Sequence, residues 1–168
     1  MSNDHNPNLY IILLNLSRNK FFYSKLKFED IFQTRLYLMF FHFSILMISF
    51  KKKGKKFNQK TYDIFFHNIE NNLRELGFGD VTVNKKMKEF NKILYDILLK
   101  LDLRAAKKNT ININENLVKN YFPSLNTEDG KNLSLFSDYL LNFFNFCFEK
   151  PLNTVIEQSS QFNYYGST

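Results

Sequence analysis

Residues 82–101 read TVNKKMKEFNKILYDILLKL, and this stretch decides the fold. Its apolar positions, beginning with Val83, Met87 and Phe90 and continuing through Leu94, Ile97 and Leu101, recur at alternating steps of four and three. That is the period of one face of an α-helix, not the alternation of a strand. The opposite face carries Lys85, Lys86, Lys88, Lys92 and Lys100, and Thr82 is placed to cap the first turn. The same three-and-four spacing runs on both sides of this segment, with only 5 Gly and 3 Pro to interrupt it. The expected architecture is therefore all-α, a single-domain helical bundle of about six helices.

Working towards the N-terminus, Asn58 is placed to cap a helix whose face comprises Tyr62, Phe65, Phe66, Ile69, Leu73 and Leu76, with Gly77 where a helix-terminating glycine belongs. Before it, Leu36 to Phe50 is an uncharged run followed by Lys51-Lys52-Lys53-Gly54-Lys55-Lys56. A helix beginning near Glu29 and Asp30 and ending at this cationic run suits the helix dipole at both poles. At 15 residues, with His42, Ser44 and Ser49 inside it, the run falls short of the roughly 17 to 25 apolar residues of a spanning helix, and it reads as the buried central helix. A membrane-contacting helix with a polybasic flank is the competing reading. A first helix from Asn8 to about Leu26 precedes it, after a tail over residues 1–8.

Towards the C-terminus, Asn112 or Asn114 caps a short helix through Tyr121 and Phe122, which stops before Pro123. A further helix from Asn132 to Phe148 is apolar almost all round, so it either packs deeply or meets a partner. The domain is expected over 9–148, with 149–168 as a mobile polar tail.

Composition narrows the function classes. The chain has 168 residues and 44% apolar content, enough for one core. A net charge of +7 makes an anionic partner a natural candidate. Cys147 is alone, which excludes an internal disulfide, and no Cys/His cluster has metal-ligand spacing. The first eight residues contain no Lys or Arg, unlike a secretory or organelle presequence, so the chain is expected to stay where it is made. His5, His42 and His67 fall in no catalytic or metal pattern, and His42 reads best as a buried, hydrogen-bonded side chain. No nucleophile elbow is present, and Gly77-Phe78-Gly79 lacks the strand and third glycine of a dinucleotide fingerprint. The lysines lack any recognised DNA- or RNA-binding signature, so no specific DNA partner is expected, and contact with ribosomal RNA would be through general electrostatics. No enzyme activity, cofactor or metal is expected.

The block from Phe65 to Lys88, FFHNIENNLRELGFGDVTVNKKMK, resembles the signature of the ubiquinol-cytochrome c chaperone family. Upstream, Tyr10, Arg18, Phe22-Tyr23, Asp30, Arg35 and His42 fall in the family's order, and downstream Leu117 to Tyr121 resembles its Leu-x-x-x-Asn-Tyr element, so the likeness spans residues 9–145. Asn84 stands where the family often has glycine, and the turn before Arg35 is poor in the usual small residues. The resemblance implies an assembly chaperone that holds newly made cytochrome b, together with a small helper protein near the ribosome exit region, until it enters respiratory complex III. For a bacterial relative it implies a place in the cytoplasm, peripheral to an anionic inner-membrane surface. The positions matching the family's polar pattern, Arg18, Tyr23, Asp30, Arg35, His42, Arg74, Glu75, Asp80 and Lys85, together with Lys86, become candidate client- or partner-binding residues. The bland alternative is that Arg18, Asp30, Arg35 and Asp80 pair with one another and tie the first helices to the turn at Gly77. A peripheral membrane- or ribosome-associated protein using its basic face is the alternative function.

Overall fold

A computed structural model describes residues 8–102 and 110–164 of the chain. The expected N-terminal tail, with His5, lies outside the described residues except for Asn8. Seven α-helices and no strand occur among the described residues: α1 (Leu9–Ser17), α2 (Phe32–Lys52), α3 (Gln59–Glu75), α4 (Asp80–Asp102), α5 (Glu115–Tyr121), α6 (Lys131–Phe148) and α7 (Val155–Ser159).

α2 is the axis. Twelve of its 21 residues are buried, and they point to every side of the helix. Three phenylalanines within four residues show how the neighbours are recruited. Phe40 meets Phe65 and Phe66 of α3 and Phe90 of α4. Phe41 meets Phe122, just after α5, and Phe136 of α6. Phe43 packs on Phe57, Tyr62 and Phe65. Truncating a fully buried ring of this kind costs about 3–5 kcal/mol, so the apolar run specifies a helix wrapped by others. Among the described residues no helix is long and apolar enough to cross a membrane.

Capping side chains set several boundaries. The Oδ1 atoms of Asn8, Asn58 and Asn114 accept from the amides of Ile11, Thr61 and Leu117 at 3.0–3.2 Å, which places the short-helix cap at Asn114 and not Asn112. α2 and α3 end alike. At α2 the amides of Gly54 and Lys55 donate to the carbonyls of Lys51 and Phe50; at α3 those of Gly77 and Phe78 donate to Arg74 and Leu73. In both, the glycine takes positive φ, 73° and 96°, as this double-bonded helix stop requires.

Four expectations are corrected. The first helix does not run to Leu26: Asn19 Oδ1 takes the amide of Phe21 at 3.0 Å, and a π-helical turn over Phe21–Lys25 follows, closed by Leu26 N–H on the Phe21 carbonyl. The turn drives Phe22 and Leu26 inward, and Phe28 beyond it is also buried. α2 starts at Phe32, after Asp30 has turned aside to pair with Arg35. α4 starts at Asp80 and not after Thr82, because the Gly79 carbonyl takes the first helical bond from Val83 and the Asp80 carboxylate suits the dipole's positive end. The polar stretch from 149 is no simple tail through Tyr164: α7 buries Val155, and Phe162 packs on Tyr139, Phe143 and Phe146 of α6.

Nothing lies within 4 Å of where a Cβ on Gly77 would stand, so the cost of a side chain there is backbone strain alone. Gly77→Ala is expected to destabilise the protein by about 1–2 kcal/mol, lowering the melting temperature by some 3–6 °C. An unchanged melting temperature by circular dichroism would mean that the turn relaxes out of the left-handed region.

Candidate functional site

The α3–α4 connection is short because the glycine stop at Gly77 is followed almost at once by the start of α4 at Asp80. It leaves apolar side chains no room to turn inward: Leu76 is 57% exposed, Phe78 39% and Val81 84%. Around them the polar residues are fixed. Arg74 bridges α3 and α4, with one guanidinium nitrogen on Asp80 and the other on Glu70 at 2.9 Å. The hydrogen bonds it donates to Asp80 and then Glu70 raise the guanidinium's pKa further and hold it charged. Lys86 Nζ stands 5.0 Å over the Phe78 ring, a cation–π contact that fixes the ring's outward face. Lys85 and Glu75 are exposed on the same tip.

Leu76 also closes a cleft of about 290 Å³ between α1, α2 and α3. Tyr10, Arg18, Arg35 and Asn72 line it, over an apolar floor that includes Met39 and Ile69. Asn72 Nδ2 donates to Tyr10 Oη at 3.2 Å and ties α3 to α1 across the cleft. Arg35 is held at 2.5 Å by the exposed Asp30, whereas no carboxylate of the described residues lies within ion-pair distance of Arg18. Seven of the ten expected site residues thus fall into two adjoining groups: Arg18 and Arg35 in the cleft, and Arg74, Glu75, Asp80, Lys85 and Lys86 at the tip. Asp30 joins the first through Arg35. The cross-tie from the first helices to the turn does not form, because Asp30 and Asp80 each take a nearer arginine.

The remaining two are placed elsewhere. Tyr23 is half-buried and donates from its hydroxyl to the Ser17 carbonyl at 2.7 Å, and burial pushes its pKa up to about 12. His42 is fully buried, so it offers no surface to a client and that assignment is withdrawn. Its Nδ1 lies 2.6 Å from the Leu38 carbonyl, which can only accept, so Nδ1 carries the proton. Nε2 then accepts from the Tyr139 hydroxyl at 2.6 Å. Burial lowers the ring's pKa from 6.5 to about 4, against the opposing pull of the Leu38 carbonyl. His42 is a neutral pin between α2 and α6.

Sequence reading did not pick out Leu76, Phe78 or Val81 as functional. The signal was available in Phe78, a large ring between two glycines, and in Val81, which falls outside the three-and-four stripe of α4. Among the described residues no group of three His, Cys, Asp or Glu side chains is placed to hold a metal ion. What the arrangement offers is an apolar knob on a rigid turn, ringed by fixed charges, beside a cleft with two arginines. That equips it for gripping a partner.

The sequence model described as ubiquinol-cytochrome C chaperone matches residues 24–157, most of the chain and the whole of this tip. The chain belongs to that family. The match starts after Arg18 and Tyr23, so those two stand outside the segment that defines the ubiquinol-cytochrome C chaperone likeness. It continues to Glu157, taking in part of α7 beyond the boundary expected at 148. Comparison with curated proteins and with solved structures gives no significant match.

Between the folded pKa of His42, about 4, and its ordinary 6.5, the unfolded chain binds a proton that the folded one refuses. Stability is whole above pH 6.5 and falls as pH drops towards 4, by about 3 kcal/mol from this group. Urea midpoints measured over that range are expected to fall more steeply for the native chain than for His42→Gln. Parallel slopes would show that His42 does not carry the dependence.

Proposed function

We propose that the protein is a non-enzymatic assembly chaperone of ubiquinol-cytochrome c reductase that binds newly made cytochrome b at the α3–α4 tip and the cleft behind Leu76. The observation that carries this is the trio Leu76, Phe78 and Val81, held out of the core inside the family-matched segment. Cytochrome b presents long apolar helices that must be kept from water before insertion and assembly, and an apolar knob can cover part of such a surface. The contact must also be given up, so a small patch of moderate affinity suits the task better than a deep pocket. Lys85 and Lys86 would meet loop carboxylates at the ends of the client's helices and set orientation, with Arg74 holding the tip rigid through Asp80 and Glu70. A small helper protein and the ribosome exit region are proposed as further partners, and the cytoplasmic face of a bacterial inner membrane as the place of action.

A photo-crosslinking residue at Val81, incorporated during active synthesis of respiratory complexes, is expected to capture cytochrome b above other membrane proteins. Lys85→Glu should lower that capture at least fivefold while shifting the melting temperature by less than about 4 °C, since Lys85 is exposed and changes at such positions usually cost little. Capture of ribosomes, lipid or RNA alone, with complex III levels unaltered when the gene is removed, would instead favour the basic face as a general membrane or ribosome contact.

A further inference from the structure

At the other end of α4, α2 and α4 run side by side and leave an open groove of about 590 Å³. Its floor is apolar, built from Met47, Ile48, Phe57 and Leu98. Two side chains of α4 stand at its lip one helical turn apart, Tyr95 at 60% and Leu99 at 64% exposure. The rim is cationic. The glycine stop at Gly54 folds the chain back so that Lys51, Lys55 and Lys56 all line the same opening. Among the described residues Asp102 is the one carboxylate that lines the groove, and it is already engaged by Lys51, while Lys55 and Lys56 are exposed and make no ion pair.

We propose that this groove is a docking site for an anionic phospholipid surface. The chemistry matches a lipid at both levels. Lysines on flexible stems reach phosphate while their methylenes lie along apolar material, tyrosine suits the headgroup boundary, and Leu99 with the groove floor takes acyl chain. A nucleic acid would find phosphate partners here, but only one well-exposed ring, Tyr95, where successive bases need a row of aromatic platforms, since Phe57 is half-buried in the floor with Met47, Ile48 and Leu98. The proposal draws on the peripheral placement above only for where the lipid is met. Along α4 the groove residues Tyr95 and Asp102 stand about 21 and 32 Å of helix beyond Val81 of the client tip.

The chain contains no Trp, so Tyr95→Trp gives a single reporter at the lip. With vesicles of phosphatidylcholine and phosphatidylglycerol in a two-to-one ratio, its emission is expected to shift to the blue and the protein to co-sediment, with neither effect on phosphatidylcholine alone. Lys55→Gln with Lys56→Gln should weaken partitioning about thirtyfold, at the strength of a surface lysine near an anionic membrane, with helicity unchanged. The same variant should still crosslink to cytochrome b through Val81. Equal partitioning onto neutral vesicles, or anionic binding untouched by the two glutamines, would overturn the site. A blue shift without vesicles that rises with protein concentration would overturn it in favour of a second copy of the chain. Loss of cytochrome b capture in the native chain with vesicle binding intact would count against the client reading and leave the groove standing.

Discussion

Everything in this bundle is arranged to cover α2. A helix that carries Phe40, Phe41, His42 and Phe43 in sequence has no solvent-facing side, so its neighbours must surround it. The one strongly polar group inside is tolerated because both ring nitrogens of His42 are satisfied, one by its own helix and one by Tyr139 of α6. That pair links α2 to the aromatic cluster of Phe22, Phe136 and Phe143, which Tyr164, the last described residue, joins through Tyr139. With α2 enclosed, α3 and α4 are free to display what the core does not need.

The two proposed surfaces follow from the way α2 and α3 stop. Each ends in a glycine that turns the chain sharply, and each turn delivers the next residues to an end of the bundle instead of its flank. At Gly77 the delivered residues are apolar with charges set around them. At Gly54 they are lysines beside an apolar groove. α4 joins the two ends, so a partner at one does not compete for space with a partner at the other.

Much of this was legible from residues. The stripe of α4, the Asn58 cap and the terminating role of Gly77 follow from local chemistry, and local chemistry decided them. The misreadings came where tertiary contacts outvoted it. Nothing in the polar composition after Pro151 announces that Phe162 fits against three rings of α6, and the break at Asn19 depends on one side-chain oxygen choosing a nearby amide. For the site, a shared polar pattern identifies positions without saying whether they face in or out: Arg74 and Asp80 were brought together at the surface, while His42 went to the centre. Apolar contact residues were overlooked because an exposed leucine and a buried one look alike until the helices are assembled.

The ring of Phe21 lies 5.0 Å from that of Tyr164, and Phe22 4.9 Å from Tyr139. The π-helical turn that follows α1 and the last described residue therefore complete one aromatic cluster. During vectorial synthesis the π-helical turn emerges long before its cover exists, and α2, already made, waits with it until α6 and the residues beyond are released. For that interval the rings that α2 turns towards α6 have no partner yet made in their own chain.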